Sequence, residues 1–524
     1  MLLHELIETQ AKFKPDAPAL GCKNSWVNYQ TLSNSVDHVA CFLASIMDST
    51  QERVAIYTTK SVNCVSSIFG VSKAGGVAVV INPILKKPQV EQIVADCAAT
   101  VLITSVSRYQ QLDLVQLPSI KHVVLLDGSM GSTDAQVHHW HAIQSLDITD
   151  LRADLPQMIA TDLAAIFYTS GSTGRAKGVV LTHQNLVIGA QSVVAYLPTK
   201  ANDKLLAVLP LSFDYGFSQL TIAFLTGASC YLQDYLFVKD IVDAVRDHQL
   251  TSMALVPPLW VQLAKGDWQA QDLMSLRYFC NTGGAMPSAV LTQLRQRIPH
   301  ALPYMMFGLT EAFRSCYLPP EHLDERPTSF GKAIPNARIQ VINEQGNECV
   351  PFEHGELVHS GVLVSQGYWN DPDKTQVRFK RAPVCLAQRM LPQWAVWSGD
   401  IVYQDHEGFF YFVSRKDDLI KTSGYRVSPQ EVEEVVYTYD HVSEVVVIGV
   451  PHSELGQAIV AIVNSTVQTA SHLSAMIQHC RAQLPIYMVP KRFIYTEQLP
   501  KNSNGKFDRN HWHTLYGRLF QEQY

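Results

Sequence analysis

The sequence has no apolar run of the ~20 residues needed to cross a bilayer, so no membrane span is expected. Its start, MLLHELIETQAKFKPDAP, has no basic stretch leading into an apolar one, which argues against a secretory signal and for a cytoplasmic location. Positive charge is scarce: 41 Lys and Arg face 47 Asp and Glu, a formal net charge of −6, so a nucleic-acid surface is not expected. The ten cysteines, scattered from Cys22 to Cys480, form no CxxC pair and sit beside no histidine at zinc-ligand spacing. They read as buried free thiols in a reducing compartment. The 19 histidines include no HExxH, and no structural metal is expected. Internal repeats and low-complexity tracts are also lacking.

What is present is apolar mass. With 524 residues, 47% of them hydrophobic, the chain is too long for one core and should form two or more packed units. Residues 51–58, 99–105, 121–126, 163–169, 204–209, 251–256 and 276–280 read as buried strands. Amphipathic stretches such as 87–96 and 241–248 lie between them, and this alternation predicts parallel sheets covered by helices. After about residue 330 the strands shorten (337–342, 355–359, 408–413) and Gly, Pro and Asn turns separate them, which predicts an antiparallel layer. A compact α+β pattern follows: a helix from about Pro429, strands over 444–450 and 458–463, a helix around 471–483, and a strand over 492–495. The expected boundary lies near Asp417, giving units 1–416 and 417–524.

The segment Tyr168–Gly178, YTSGSTGRAKG, concentrates chemistry. It leaves a predicted strand and packs Gly, Ser and Thr into one loop with Arg175 and Lys177. Gly permits close backbone approach to an anion, while hydroxyls and successive N–H groups can bind phosphate oxygens. The Walker spacing GxxxxGK[ST] is absent. On composition alone the loop also reads as a surface turn.

In series with FGLTE (307–311), SGD (398–400), SRKDDLIKTSGYRV (414–427) and LPKNSNGKFDR (499–509), the loop resembles the adenylate-forming superfamily of acyl-CoA synthetases, nonribosomal peptide adenylation domains and luciferases. The resemblance covers nearly the whole chain. It implies an α/β fold: a large N-terminal adenylation core of two helix-covered, mainly parallel sheets plus a small β-barrel-like layer, then a small α+β lid. It implies ATP and Mg²⁺, held by Thr169, Ser170, Gly171, Ser172, Thr173, Gly174 and Lys177 around the phosphates. Thr310 would contact the α-phosphate, Glu311 would hold Mg²⁺, Asp400 and Arg415 would meet the ribose, and Phe307, Gly308 and the turn Gly283, Gly284, Ala285 would meet adenine. Phe307 departs from the more usual Tyr, and Ser414 from the more usual Gly. Lys506 is implied to draw the acid carboxylate and the α-phosphate together. Asp417, Lys421 and Gly424 are implied as hinge and thiol tunnel, reached by rotation of the small domain.

The acid is less clearly written. Phe213–Asp214 resembles the pair that meets the ammonium in amino-acid-activating members, and a buried carboxylate needs a partner. Arg314 is an internal alternative for that role, or a ligand for a second anionic group. The resemblance adds Tyr215, Ser218, Leu255, Cys280, Thr282, Met306 and Ser315 to the pocket, a lining too mixed for a long alkyl tunnel. The expected reaction is adenylation of a small or amino acid, then transfer to coenzyme A or to the phosphopantetheine of a separate carrier protein, since the chain ends soon after the lysine motif. A fatty- or aryl-acid acyl-CoA synthetase, a non-catalytic adenylate-binding protein and, remotely, a luciferase-type oxygenase are the alternatives. Residues 380–393 suggest no role.

Overall fold

The computed structural model describes residues 1–128, 136–169, 176–383, 393–416, 418–422, 425–452, 455–501 and 507–520. Its two large sheets both contain a run of parallel strands, but only the seven-stranded one is mainly parallel, where two such sheets were expected. One has the neighbour order 137–139, 122–125, 101–104, 53–57, 77–80 and 163–169, all parallel, closed by an antiparallel strand Lys177–Thr182. Its strands Val77–Val80 and Val101–Thr104 are buried at every position. Helices cover both faces of such a sheet, so a continuous apolar run, rather than an alternating one, marks each strand.

The other large sheet begins as parallel strands, Pro18–Cys22, Ser229–Leu232, Lys204–Ala207, Ser252–Leu255, Tyr278–Asn281 and Leu302–Leu309. It turns antiparallel at Phe313–Leu318, which pairs back on Leu302–Leu309. Ser329–Ala333 then links that strand to Phe410–Arg415, Trp394–Gln404, Gly355–Gly361 and Ala337–Ile342. The antiparallel strands therefore extend the parallel sheet instead of forming a separate layer, and among the described residues their ladder stays open rather than closing a barrel.

The third sheet orders Tyr425–Val427, Ile420–Thr422, Gly456–Ser465 and Val442–His452, with Arg492–Tyr495 parallel to Gly456–Ser465. Its core, around Val432, Val447, Ile459 and Met476, is separate from the cores of the large sheets. The helix Pro429–Tyr437 starts where Ser428 caps the Glu431 N–H and Pro429 occupies the first turn, where its missing N–H is harmless. Amphipathic Val238–His248 buries Ile241, Val242, Ala244 and Val245 on one face.

Three histidines are wholly buried or nearly so. The Leu3 backbone N–H donates to His183 Nδ1 at 3.1 Å, so His183 must be neutral there. His4 Nδ1 meets Ser72 Oγ at 3.2 Å, and His359 Nδ1 meets Ser315 Oγ at 2.9 Å. Burial, reinforced by Lys73 near His4 and by His4 near His183, pulls both of those rings down to about 4. Burial alone takes His359 to about 3. A folded-state value below the ordinary 6.5 means the unfolded chain binds more protons between those limits, so stability rises with pH across that window. The unfolding free energy should hold above pH 7 and fall as pH drops from 6.5 toward 4. In urea titrations at pH 7.5 and pH 5, His359→Leu should show a smaller loss than the wild type; an equal loss would remove His359 from the account.

Candidate active site

The strands of both large sheets deliver their motif residues at carboxyl ends, where open α/β sheets bind ligands. Thr169 ends the strand Leu163–Thr169 and pairs with Lys177 across the hairpin. Gly283, Gly284 and Ala285 follow Tyr278–Asn281 as a partly exposed turn, and Asn281 Nδ2 donates to the Gly284 carbonyl at 3.0 Å. Phe307 and Gly308 close the strand Leu302–Leu309, and Thr310 and Glu311 lie in the 3-10 turn that reverses the chain.

That reversal is tight. A bulge falls between Phe307 and Gly308, and a Cβ on Gly308 would stand 2.4 Å from the Phe313 carbonyl oxygen. Phe313 itself has φ +62°, a conformation unfavourable for a bulky residue. The turn leaves Glu311 half-buried, with Oε1 accepting from the Tyr368 hydroxyl at 2.6 Å. Tyr368 is held in place by backbone: Val180 N–H donates to Gly367 O at 3.0 Å and Trp369 N–H to Gly178 O at 2.7 Å. Lys177 Nζ lies 5.4 Å from the Tyr368 ring centre. Desolvation, then the nearby cations Lys374 and Arg378, lower the Lys177 ammonium from its ordinary value, while Glu311 and Asp371 oppose them. Lys177 and Arg378 thus lie near Glu311, while Lys374 is paired with Asp371, and the net positive balance favours a polyanion.

Asp400 is 3% exposed, and its Oδ1 pairs with Arg415 Nη1 at 2.8 Å across the strands. Its N–H donates to Ser398 Oγ at 3.0 Å. Gly399 has φ +69°, and a Cβ there would stand 2.5 Å from Arg378 Nη1. Arg378 therefore lies directly over the Ser-Gly-Asp segment. Phe307 stacks on Phe330 at 4.5 Å between ring centres and stays half-buried.

The acid-pocket residues form a second cluster. Arg314, 2% exposed, donates from Nη1 to Asp214 Oδ2 at 2.7 Å and to the Phe313 carbonyl at 3.2 Å, and from Nη2 to Ser218 Oγ at 3.3 Å. Thr310 Oγ1 donates to the other Asp214 oxygen at 3.3 Å. The guanidinium lies 4.6 Å from the Tyr215 ring centre. Of the residues expected here, Tyr215, Ser218, Cys280, Met306 and Arg314 line an enclosed space of about 10 Å³, scarcely room for one water. Phe213 and Asp214 open the helix Asp214–Thr226 beside it. Leu255 and Thr282 are buried on neighbouring strands outside that lining, and Ser315 points to the opposite sheet face, toward His359. The remaining walls, apolar Val193, Leu197, Leu205, Ile222, Met253 and Ala254 with polar Gln219, Ser252 and Tyr278, were not singled out by sequence motif.

Ser170, Gly171, Ser172, Thr173, Gly174, Arg175, Asp417, Gly424 and Lys506 lie outside the described residues, as does the Lys421 side chain. Tyr368, Lys374 and Arg378 are additions to the sequence-based set. The signal available for them was the pair Lys374 and Arg378, four apart on the short helix Pro372–Arg378 and so on one face.

The model of the AMP-binding enzyme family matches residues 7–369, and that of the AMP-binding enzyme C-terminal domain matches residues 431–506. The chain is 26% identical to a long-chain-fatty-acid–CoA ligase of Bacillus subtilis, covering 99% of this chain and 94% of the relative. It is 25% identical to an indoleacetate–CoA ligase of Aromatoleum aromaticum over the whole of both. Tyrocidine synthase 1 of Brevibacillus parabrevis is 27% identical over 97% of this chain and 44% of its own length. In fold, the chain is similar to ATP-bound MatB from Rhodopseudomonas palustris (TM-score 0.85, 23% identity, 99% and 100% covered). It is similar also to the anthranilate CoA ligase AuaEII in complex with anthranoyl-AMP (TM-score 0.86, 23% identity, 99% and 98% covered).

Removing one partner of a buried ion pair strands the other charge, at a cost of about 3–5 kcal/mol. Asp214→Ala and Arg314→Ala should each lower the urea-unfolding free energy by about that amount, and the double variant by clearly less than the sum. Additive losses in the cycle would show that the two side chains do not depend on each other.

Proposed function

The chain belongs to the AMP-binding enzyme family, and on that footing we propose that it is an ATP- and Mg²⁺-dependent, AMP-forming acid–thiol ligase for a small carboxylic acid. The observation that carries this reading is the Thr310 hydroxyl at 3.3 Å from Asp214 Oδ1. It ties the residue assigned to the α-phosphate to the ion pair of Asp214 with the pocket residue Arg314, so acid and phosphorus would meet close together.

In the first step a carboxylate oxygen attacks the α-phosphorus of ATP and pyrophosphate leaves, giving acyl-AMP. In the second a thiolate attacks the acyl carbon and AMP leaves. The cations Lys177, Lys374 and Arg378 offset the charge of the phosphates during approach. Glu311 is a single, accessible carboxylate, and the described residues hold no cluster of three or more His, Cys, Asp or Glu fit for a metal. That donor set suits Mg²⁺, which arrives with nucleotide phosphates and keeps several waters. Bound there, Mg²⁺ would neutralise phosphate charge. Asp400 and Arg415 orient the ribose, Phe307 the adenine, and Lys506 brings carboxylate and α-phosphate together.

Residues 1–416 act as the adenylation core and 417–524 as a lid turning about Asp417, so that the face from Lys421 to Arg426, with Gly424 leaving room for the thiol arm, replaces Lys506 for the thiol step. The acceptor is coenzyme A or a carrier-protein phosphopantetheine. The relatives named as CoA ligases support the first, and tyrocidine synthase 1 keeps the second in view. The mixed polarity of the lining, which includes Ser218, Gln219, Ser252 and Tyr278, weighs against a long alkyl tunnel. Phe213–Asp214 favours an amino acid by resemblance, and the pairing of Asp214 with Arg314 weighs against it.

Pyrophosphate release measured with Mg²⁺-ATP across small aliphatic, amino, aryl and long-chain acids should respond to a small acid. ATP binding without pyrophosphate release from any acid would replace the ligase with a non-catalytic adenylate-binding protein. Lys506→Ala should cut adenylation by roughly 100-fold or more while sparing thiol transfer from supplied acyl-AMP. An equal fall in both half-reactions would refute the two-conformation scheme.

A further inference from the structure

The carboxylate of Asp214 has no vacant oxygen. Oδ2 takes Arg314 Nη1 at 2.7 Å and Oδ1 takes Thr310 Oγ1 at 3.3 Å. Arg314 is fixed as firmly, by the Phe313 carbonyl, by Ser218 Oγ and by the ring of Tyr215 at 4.6 Å. Both residues are buried, at 5% and 2% exposure, so neither charge can turn to bulk water for compensation. The rest of the lining is uncharged: Val193, Leu205, Ile222, Met253 and Cys280 are apolar, and the buried hydroxyl of Tyr215, which has no partner, is neutral.

From this charge count we infer that Arg314 is a built-in counter-ion that occupies the place a substrate ammonium would take, so that the pocket selects small uncharged monocarboxylic acids and rejects α-amino acids and dicarboxylic acids. The inference rests on the ligase reading above. An α-ammonium could reach Asp214 only by displacing the guanidinium, which would then be a buried cation without its carboxylate. A second carboxylate on the substrate would add an anion to a pair already neutral in sum. Either way one charge is stranded in a space nearly sealed from solvent. A neutral tail strands none. Arg314 acts here as a specificity-determining residue: it excludes one class of acid by satisfying the group that would have held it.

The test is ATP–pyrophosphate exchange by the full-length enzyme on matched acids: butyrate against 2-aminobutyrate, 3-methylbutanoate against valine, and butyrate against succinate. The uncharged acid of each pair should have the higher kcat/KM, by on the order of 100-fold or more, the factor expected for stranding a buried charge. A preference for the amino acid or the dicarboxylic acid would overturn the inference and leave the ligase standing. Silence with every acid, charged or not, would remove the ligase reading and the inference with it. In R314A, Asp214 Oδ2 is released and the guanidinium volume vacated, so the ratio of amino to uncharged acid should rise at least about tenfold. D214A/R314A should lose that gain, because no carboxylate remains to receive the ammonium. A folded R314A with an unchanged ratio would overturn the inference. Where R314A does not fold, the wild-type ratios decide alone.

Discussion

One ion pair constrains the centre of the molecule. Arg314 enters the core only because Asp214 is there to receive it: an unpaired guanidinium at 2% exposure would be too costly to bury. To aim that side chain inward, the hairpin after Leu302–Leu309 must turn at once, and its geometry records the demand. Phe313 adopts φ +62° and its ring packs against Gly189, where an added Cβ would come within 2.9 Å of it. Gly308 leaves room for the returning Phe313 carbonyl. The same turn carries Thr310 and Glu311, the residues assigned to the α-phosphate and Mg²⁺. A charge requirement inside the acid pocket is thus coupled through four residues of backbone to the carboxylate assigned to Mg²⁺.

The elements easiest to read in the sequence were those bounded by an apolar run or a clear amphipathic period. Leu163–Thr169, Ala337–Ile342 and Arg492–Tyr495 have the limits their apolar runs suggest, and Lys87–Asp96 those of its amphipathic period. Strand ends were overextended by one or two residues where an apolar side chain continues past the ladder, as at Val208 and Leu209, buried beyond Lys204–Ala207. The joining of the antiparallel layer to the parallel sheet was not legible. It depends on Ser329–Ala333 pairing with partners both before and after it in the chain, Cys316 with Ala333 and Ser329 with Tyr411. No local pattern encodes a pairing across some 80 residues.

The site divides the same way. Of the Gly-rich motif segments expected at the site, the turn after Tyr278–Asn281 is present at Gly283 and Gly284, while residues 170–175 lie outside the described residues. Residues that arrive from elsewhere were not legible. Tyr368 reaches Glu311 because residues 366–369 add to the edge strand Lys177–Thr182 by main-chain hydrogen bonds, which any side chain allows. Arg314 and Ser315 were both placed in the pocket, yet adjacent strand residues face opposite ways, and only one can enter it. The partner of Asp214 was undecidable from sequence, since an ammonium and a guanidinium satisfy a carboxylate equally well.

The two halves of the site differ in charge, and that difference gives the reaction a direction. Beside Glu311 the cations Lys177, Lys374 and Arg378 outnumber Glu311 and Asp371, the partner of Lys374, and leave one positive charge for phosphate. Behind Thr310 the pair Asp214–Arg314 sums to zero among otherwise uncharged walls. An acid with an uncharged tail therefore brings in only one charge, its own carboxylate. That carboxylate cannot be buried in the neutral half without a large desolvation cost. On the proposed reading the tail would go in and the carboxylate would be left at Thr310, facing the half where its charge is wanted and where the α-phosphate is assigned. A neutral pocket orients the nucleophile by refusing it, whereas a pocket with a free charge of either sign would offer the substrate a competing place to bind.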